Sequence, residues 1–445
     1  MLRHLLFLSI LSLSVAHRVA AQEELSLSRA IEIGLENRYQ IQIAEKNLEI
    51  AENDNQWAVA GRYPSIDFVL DGNSGYTKLN NPASFLRQTS SLNAGIRPGV
   101  EASWTIFEGY RVRFSKQQLE ELQRGSQVDL RIAVENTIQN IILSYYQALI
   151  QQEQLEVVEE VLQLSRDRVE FEEVKREFGQ VSTFDVLQTQ DAYLNDSTNY
   201  LRQLNTYQNA LRNLKLDMGL DDFSQSFLLT TQLDSEPMDY DLESLTSRMV
   251  NNNQQLQNLQ VDRELARINT KIQESQLYPS LNLRAGTTYN VSISSGTQTF
   301  LEGGERDIPT VAAKTLNPFF NLSLRYNIFD AGVRQNNIDN AQLGEINAQY
   351  RVAELRRQLN AQLLNTFATY QTQKELVRVT DELVSNAQRN LEIAEERFRG
   401  GLINSFDYRT IQLSYINATQ ARFNAIFNLK TTETELTRLI GGLVR

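Results

Sequence analysis

The chain has no cysteine, and its two histidines, His4 and His17, both fall within the first 21 residues. No thiol nucleophile and no thiolate metal site can therefore form, and no lipid can be attached through an N-terminal cysteine. Residues 1–21 carry a short basic start, an apolar run from Leu5 to Val15, and Val19-Ala20-Ala21 ahead of Gln22. This pattern predicts a cleaved secretory signal, because the run is too short to cross a bilayer as a helix. Cleavage removes both imidazoles, so the mature chain is expected to hold no His-dependent triad and no zinc site built on His or Cys. Four methionines, Met1 among them, make no ladder for copper or silver. No catalytic residue, cofactor or metal is expected.

Positive charge is also scarce. There are 43 basic against 55 acidic residues, a net charge of −12, and losing Arg3 and Arg18 with the signal leaves 41 against 55, or −14. Such a balance disfavours nucleic acid and anionic lipid headgroups. Beyond the signal no apolar run approaches the length of a membrane helix. Proline is rare and unevenly placed: Pro64, Pro82, Pro98, Pro237, Pro279, Pro309 and Pro318, with none in 99–236 or after 318. Proline breaks helix interiors, so both proline-free tracts can be very long helices.

What is present is duplicated. A shift of 222 superposes Ile106-Phe107 on Ile328-Phe329, Gly179 on Gly401, Phe184-Asp185 on Phe406-Asp407, and Gly219 on Gly441. "YPS" at 63 recurs at 278. The expected division is a signal at 1–21, a first repeat at 22–220, a linker at 221–240 and a second repeat at 241–445. In each repeat a helical run ends at Tyr-Pro, with Pro64 and Pro279 fixing the break from helix to strand. An alternating stretch follows: Ile66, Phe68 and Leu70 against Asp67 and Asp71, or Leu281, Leu283 and Ala285 against Asn282 and Arg284. Polar stretches at 72–97 and 290–317 predict loops. A second alternation then returns, with Val100, Ala102, Trp104 and Ile106 on one face, and Phe320, Leu322, Leu324, Tyr326 and Ile328 in the later copy. Strands are expected at about 64–72, 98–107, 280–289 and 318–329. Period-two alternation of this length, repeated four times behind a secretory signal, is the signature of membrane barrel strands.

Long helices are expected at about 110–177 and 332–399, each rising about 100 Å, with return helices at about 182–219 and 404–440. In the second, Leu359, Leu363, Thr366, Tyr370, Gln373, Val377, Thr380, Val384, Ala387, Leu391, Ala394 and Phe398 recur at intervals of four and three. This is a heptad seam. Its thin mixture of Thr, Gln and Ala suits helices side by side in a wall, although an ordinary long coiled coil satisfies the seam equally. Between each long helix and its return helix lies a glycine, then a small polar residue, then Phe-Asp: "FGQVSTFD" at 178 and "GGLINSFD" at 400. Gly179 and Gly401 fit helix reversals, Ser182 and Asn404 fit N-caps, and Asp185 and Asp407 fall at the third helical position. These roles are enough to build two helical hairpins.

Four strands cannot close a membrane barrel, so the chain is expected to oligomerise. The order of elements, the two Tyr-Pro entries and the repeated Gly-x-x-x-x-Phe-Asp resemble the TolC-type outer-membrane efflux proteins over essentially the whole mature chain. The resemblance implies a mainly α protein with a membrane β-barrel, four strands and two long helices per chain. A homotrimer would form a 12-stranded barrel in outer-membrane lipid, continued by an α-helical periplasmic tunnel. It implies an exit duct of a tripartite efflux or type I secretion system, working with a periplasmic adaptor and an inner-membrane pump or ABC transporter. It places adaptor docking at Gly179, Gln180, Val181, Ser182, Gly400, Gly401, Leu402, Ile403 and Asn404, and acidic residues at the constriction, where Asp185 and Asp407 fit; Arg409 is a nearby charge that could take part in a gate. Ile403 and Thr410 depart from the basic and acidic residues that the family's latch uses. A secreted structural coiled coil is the alternative; it leaves the alternating strands unexplained.

Overall fold

The computed structural model describes residues 23–444, less 82, 84–85, 226, 234–236 and 301–302. The expected signal and Pro82 lie outside the described residues. The elements run β1 (Glu23–Leu25), α1 (Leu27–Asn37), α2 (Tyr39–Asp54), β2 (Ser65–Asn80), β3 (Leu86–Glu108), α3 (Arg111–Glu177) and α4 (Thr183–Asp217). They continue β4 (Phe227–Leu229), α5 (Leu242–Asn252), α6 (Gln254–Ser275), β5 (Ser280–Phe300), β6 (Glu305–Arg325), α7 (Val333–Arg399) and α8 (Ser405–Leu439). Two compact units emerge. One takes the chain up to Glu45, Leu130–Gln254 and from Arg356 onward; the other takes Lys46–Asp129 and Gln255–Leu355.

The second unit holds a four-stranded sheet in the order β2-β3-β5-β6, antiparallel throughout. Directly opposed residues share a face, so the register sorts the side chains. Ile66, Phe68 and Leu70 oppose Ala102, Val100 and Pro98, Ala102 opposes Ala285, and Leu283 and Ala285 oppose Leu322 and Phe320. That face is apolar. The other carries Asp67 opposite Glu101, Asp71 opposite Arg97, and Asn282 opposite Ser323. Its charges pair across strands: Arg97 donates to Asp71 at 2.7 Å, and Arg284 pairs with Glu101. Among the described residues the outer strands β2 and β6 each have one strand neighbour.

The strands are much longer than the alternation indicates. The stretches 72–97 and 290–317, expected as loops, are mostly ladder: Gly75 to Asn80 pair with Asn93 to Gln88, and Thr297 to Thr299 with Asp307 to Glu305. A membrane strand needs about 9–11 residues to cross the core. β3 has 23. Past the apolar zone both faces meet water, so backbone pairing alone holds the strand and period-two alternation is not required. At the other end β6 stops at Arg325, short of the expected 329, and Ile328 and Phe329 lie exposed. Pro64 and Pro279 each stand one residue before a strand. Helix α2 has already ended at Asp54, with turns between, so Pro64 starts a strand and does not stop that helix.

The first unit has its core where α3 and α4 meet the N-terminal segment. Leu25, Ala30, Ile141, Tyr145, Leu149, Leu214, Met218 and Phe227 pack together. Within the expected linker, β4 pairs in parallel with β1. Tyr145 ties this small sheet down, its hydroxyl donating to the Leu25 carbonyl at 2.7 Å. Along α7 all twelve seam positions from Leu359 to Phe398 are buried or half-buried, and the residues between them are largely exposed.

Each passage from sheet to long helix contains two consecutive left-handed residues, Gly109-Tyr110 and Ala331-Gly332, with φ of 55°, 66°, 56° and 84°. The first position of the first pair must be glycine, since a Cβ there would lie 2.1 Å from the Ser275 carbonyl oxygen. Tyr110 offsets its strain with edge-on contacts to Phe107 at 5.4 Å and Tyr278 at 6.4 Å. Ala331 has no ring to compensate. Ala331→Gly should therefore stabilise the protein by about 0.5–1 kcal/mol, left-handed strain outweighing the added chain entropy. A denaturant midpoint measured in detergent checks this; a lower midpoint would contradict it.

Candidate functional site

The two helix reversals lie in the first unit and are built by purely local rules. At the first, Gly179 has φ 71°, its N–H donates to the Arg176 carbonyl at 2.9 Å, and Gln180 donates to Lys175 at 2.9 Å. At the second, Gly401 has φ 71°, donates to Phe398 at 3.0 Å, and Leu402 donates to Arg397 at 2.8 Å. Both are Schellman-type ends, which need a left-handed residue. Ser182 accepts from the Asp185 N–H at 3.3 Å and Asp185 accepts from the Ser182 N–H at 2.9 Å, a reciprocal capping box. Asn404 accepts from the Asp407 N–H at 2.9 Å.

The capping role changes what Asp185 can do. Hydrogen bonds from the Ser182 side chain and backbone hold its carboxyl below the usual Asp range. Within its own chain this carboxylate is stabilised as an anion. Its contribution to the cap is fully present above the ordinary Asp pKa and is lost as pH falls through the lowered value.

Around these turns the apolar residues face outward. Phe178, Phe184, Leu402 and Phe406 are 76%, 71%, 79% and 65% exposed. Ile403 turns inward, against Leu391, Ala394, Phe398 and Tyr408. Ile403 thus closes a small core, while Thr410 donates to its own helix at Phe406.

Arg409 is engaged between the two hairpins. It grips Asp196 with both guanidinium arms, at 2.7 and 2.6 Å. Asp196 is 3% exposed and accepts a further bond from Ser165 at 2.5 Å; Gln412 accepts from Arg409 at 2.7 Å. This bidentate pair ties α4 to α8, hence the first hairpin to the second. A further contact between the hairpins joins Phe171 to Phe398, with ring centres 5.7 Å apart. Sequence reasoning missed Asp196, since no spacing rule links residues 213 positions apart.

Among the described residues no group of His, Cys, Asp and Glu could hold a metal, and no helix is long and apolar enough to cross a membrane. The sequence model of the family described as "Outer membrane efflux protein" matches residues 30–220 and 245–442. The chain belongs to that family. No curated protein matches it. Among solved structures it resembles the CmeC outer membrane channel of Campylobacter jejuni, with a TM-score of 0.74, 17% identity, and 94% of this chain and 85% of that one covered. It also resembles VceC of Vibrio cholerae, at 0.68 and 17%, covering 94% and 96%. The open state of the MtrE channel of Neisseria gonorrhoeae gives 0.70 and 16%, covering 94% and 89%. As an outer membrane efflux protein the chain is mainly helical with a membrane barrel sheet, and it resides in the outer membrane. The apolar face of β2-β3-β5-β6 is the one that lipid can cover, and the charged face carrying Asp71, Arg97, Glu101 and Arg284 is the one that suits a wet lumen.

Removing one member of a buried ion pair leaves the other charge uncompensated and costs about 3–5 kcal/mol. Arg409→Met should approach that loss. Asp196→Leu together with Arg409→Met should cost far less than the two single changes added, in a cycle measured by denaturant unfolding. Simple additivity would show that the pair does not couple the hairpins.

Proposed function

We propose that this protein is one third of the exit duct of a tripartite efflux system. The observation that carries the reading is a sheet with one apolar face and two strand edges left open by the chain. In lipid such edges must be paired. Joining β6 of one copy to β2 of the next satisfies them. Two copies give eight strands, whose interior side chains fill; three give twelve and leave a passage. A trimer is the smallest assembly that conducts.

The hairpin ends that carry Asn81 and Gly303 would then face the cell exterior, and the reversals at Gly179 and Gly401 would stand at the periplasmic end. The outward Phe178, Phe184, Leu402 and Phe406, interleaved with Gln180, Ser182, Gly400 and Asn404, form a mixed apolar and polar edge. Such an edge suits the hairpin of a periplasmic adaptor, which would couple the duct to an inner-membrane pump or ABC transporter. Ile403 supports its turn from inside, and Val181 is half-buried. Six carboxylates, from Asp185 and Asp407 of three chains, would ring the mouth. A ring of fixed anions in a narrow opening focuses potential and favours cations.

Cysteines placed at Asn81 and Gly303 should react with an impermeant thiol reagent on intact cells. Protection until the outer membrane is breached would reverse the orientation. Phe178→Ser with Leu402→Ser should abolish export while the assembled protein is still recovered from the outer membrane; normal export would remove the tip from the docking role. In planar bilayers the wild type should prefer cations, less so at high salt. Asp185→Asn with Asp407→Asn should reduce that preference, and unchanged selectivity would leave the two acids as caps alone.

A further inference from the structure

The apolar face of the four-stranded sheet carries two charges, and both are positive over the length of the band. Register puts Lys78 on that face, twelve residues along β2 from Ile66 and opposite Ser90. Lys314 stands there too, six residues along β6 from Phe320 and opposite Val291. Asp71, Arg97, Glu101 and Arg284 lie on the opposite face. Both lysines are exposed, and neither has an ion-pair partner among the described residues. The acids that share their face are farther out. Asp307, opposite Thr297, and Glu305, opposite Thr299, come seven and nine residues beyond Lys314 on β6, about 20 Å or more along the strand. Asp307 falls in the same transverse row as Lys78, but three strand spacings away, about 14 Å.

The spacing sets both lysines at one rim of the apolar band. A tilted membrane strand crosses the hydrocarbon core in about 9–11 residues. On β2 the uncharged face runs from Ile66 to Tyr76 before Lys78; on β6 it runs from Leu324 to Leu316 before Lys314. Each ammonium therefore stands where hydrocarbon gives way to headgroups, its stem lying along apolar surface and its charge reaching outward. The opposite rim is marked differently: Trp104, on the same face, donates its indole N–H to the Arg62 carbonyl at 2.9 Å. The chain as a whole is negative, at −12, yet none of that excess lies on the band. β2 and β6 are also the two outer strands. Joining them between copies sets a strand bearing Lys314 beside a strand bearing Lys78, and three such seams each hold two positive charges at the rim nearer the hairpin ends.

We propose that each seam binds the phosphate headgroup of an outer-leaflet lipid, with Lys314 of one copy and Lys78 of the next supplying the positive charge. The proposal rests on the reading of the chain as a membrane trimer with its hairpin ends outward. A phosphate monoester carries close to two negative charges and so matches two lysines, which bind phosphate as compact point charges. A neutral headgroup would leave both ammoniums without a counter-charge. A bound lipid touches two copies at once and stabilises the closed barrel through binding linkage.

The test uses the assembled protein, stripped of lipid in nonionic detergent and titrated with diphosphorylated lipid A and with the same lipid after removal of both phosphates; native mass spectrometry counts the lipids bound. The wild-type trimer should take up to three phosphorylated lipids, at least tenfold more tightly than the dephosphorylated form. Lys78→Gln with Lys314→Gln should lose at least tenfold in that affinity, and Lys78→Arg with Lys314→Arg should keep most of it. Equal binding of the two lipids by the wild type, or an undiminished preference in the Gln variant, would overturn the proposal. So would a Gln variant that falls into single chains while the wild-type trimer shows no preference, since the lysines would then be ion-pair partners of Asp307 or Glu305 in a neighbouring copy. The wild-type comparison decides the matter even if the Gln variant fails to assemble. Failure of the wild type to form a trimer would overturn the duct and this inference together, whereas a trimer without lipid preference overturns this inference alone.

Discussion

A strand edge in hydrocarbon has nowhere to send its N–H and C=O groups. In β2 and β6 roughly ten residues each would cross the bilayer core, and every second residue of an edge points both groups outward. About ten groups per edge, at several kcal/mol each, amount to tens of kcal/mol. Folded domains are stable by only about 5–15 kcal/mol. No packing within a single copy can absorb that cost, so the chain becomes a membrane protein only by pairing its edges with other copies. The two faces of the sheet follow from the same constraint, with Phe68, Val100, Ala285 and Phe320 on the side for lipid and Asp71, Arg97, Glu101 and Arg284 on the side for water.

The helical unit solves a different problem. A wall one helix thick has little core, and α7 buries a single stripe while its intervening residues stay largely exposed. Such a wall holds together through sparse, specific contacts. Near the reversals these are a few aromatic rings and one buried bidentate ion pair, Arg409 with Asp196. Buried charge is a costly way to join helices, but it fixes register sharply and fails in a cooperative way. The pair also makes the cost of separating the hairpins depend on two residues, a useful property in a part of the molecule proposed to meet partners.

What could be read from the sequence is what local rules determine. The α7 seam is a strict interval pattern, and every one of its twelve positions is buried or half-buried. The reversals were legible because a left-handed glycine and a cap three residues before an acid are fixed by backbone geometry within eight residues. Strand extent was not legible, since Gly75–Asn80 and their partners pair through the backbone with water on both faces and leave no alternation to read. Contacts distant in sequence were equally silent: the β1 and β4 pairing and Asp196 with Arg409 each look like ordinary helix or linker sequence until the fold brings their surroundings together.

The claim that edge pairing by three copies makes the conducting form is tested most directly by mass. The protein extracted from outer membranes in mild detergent and released in native mass spectrometry should appear as a complex of three chains. A monomer stable in aqueous buffer, or a closed complex of two, would contradict the account.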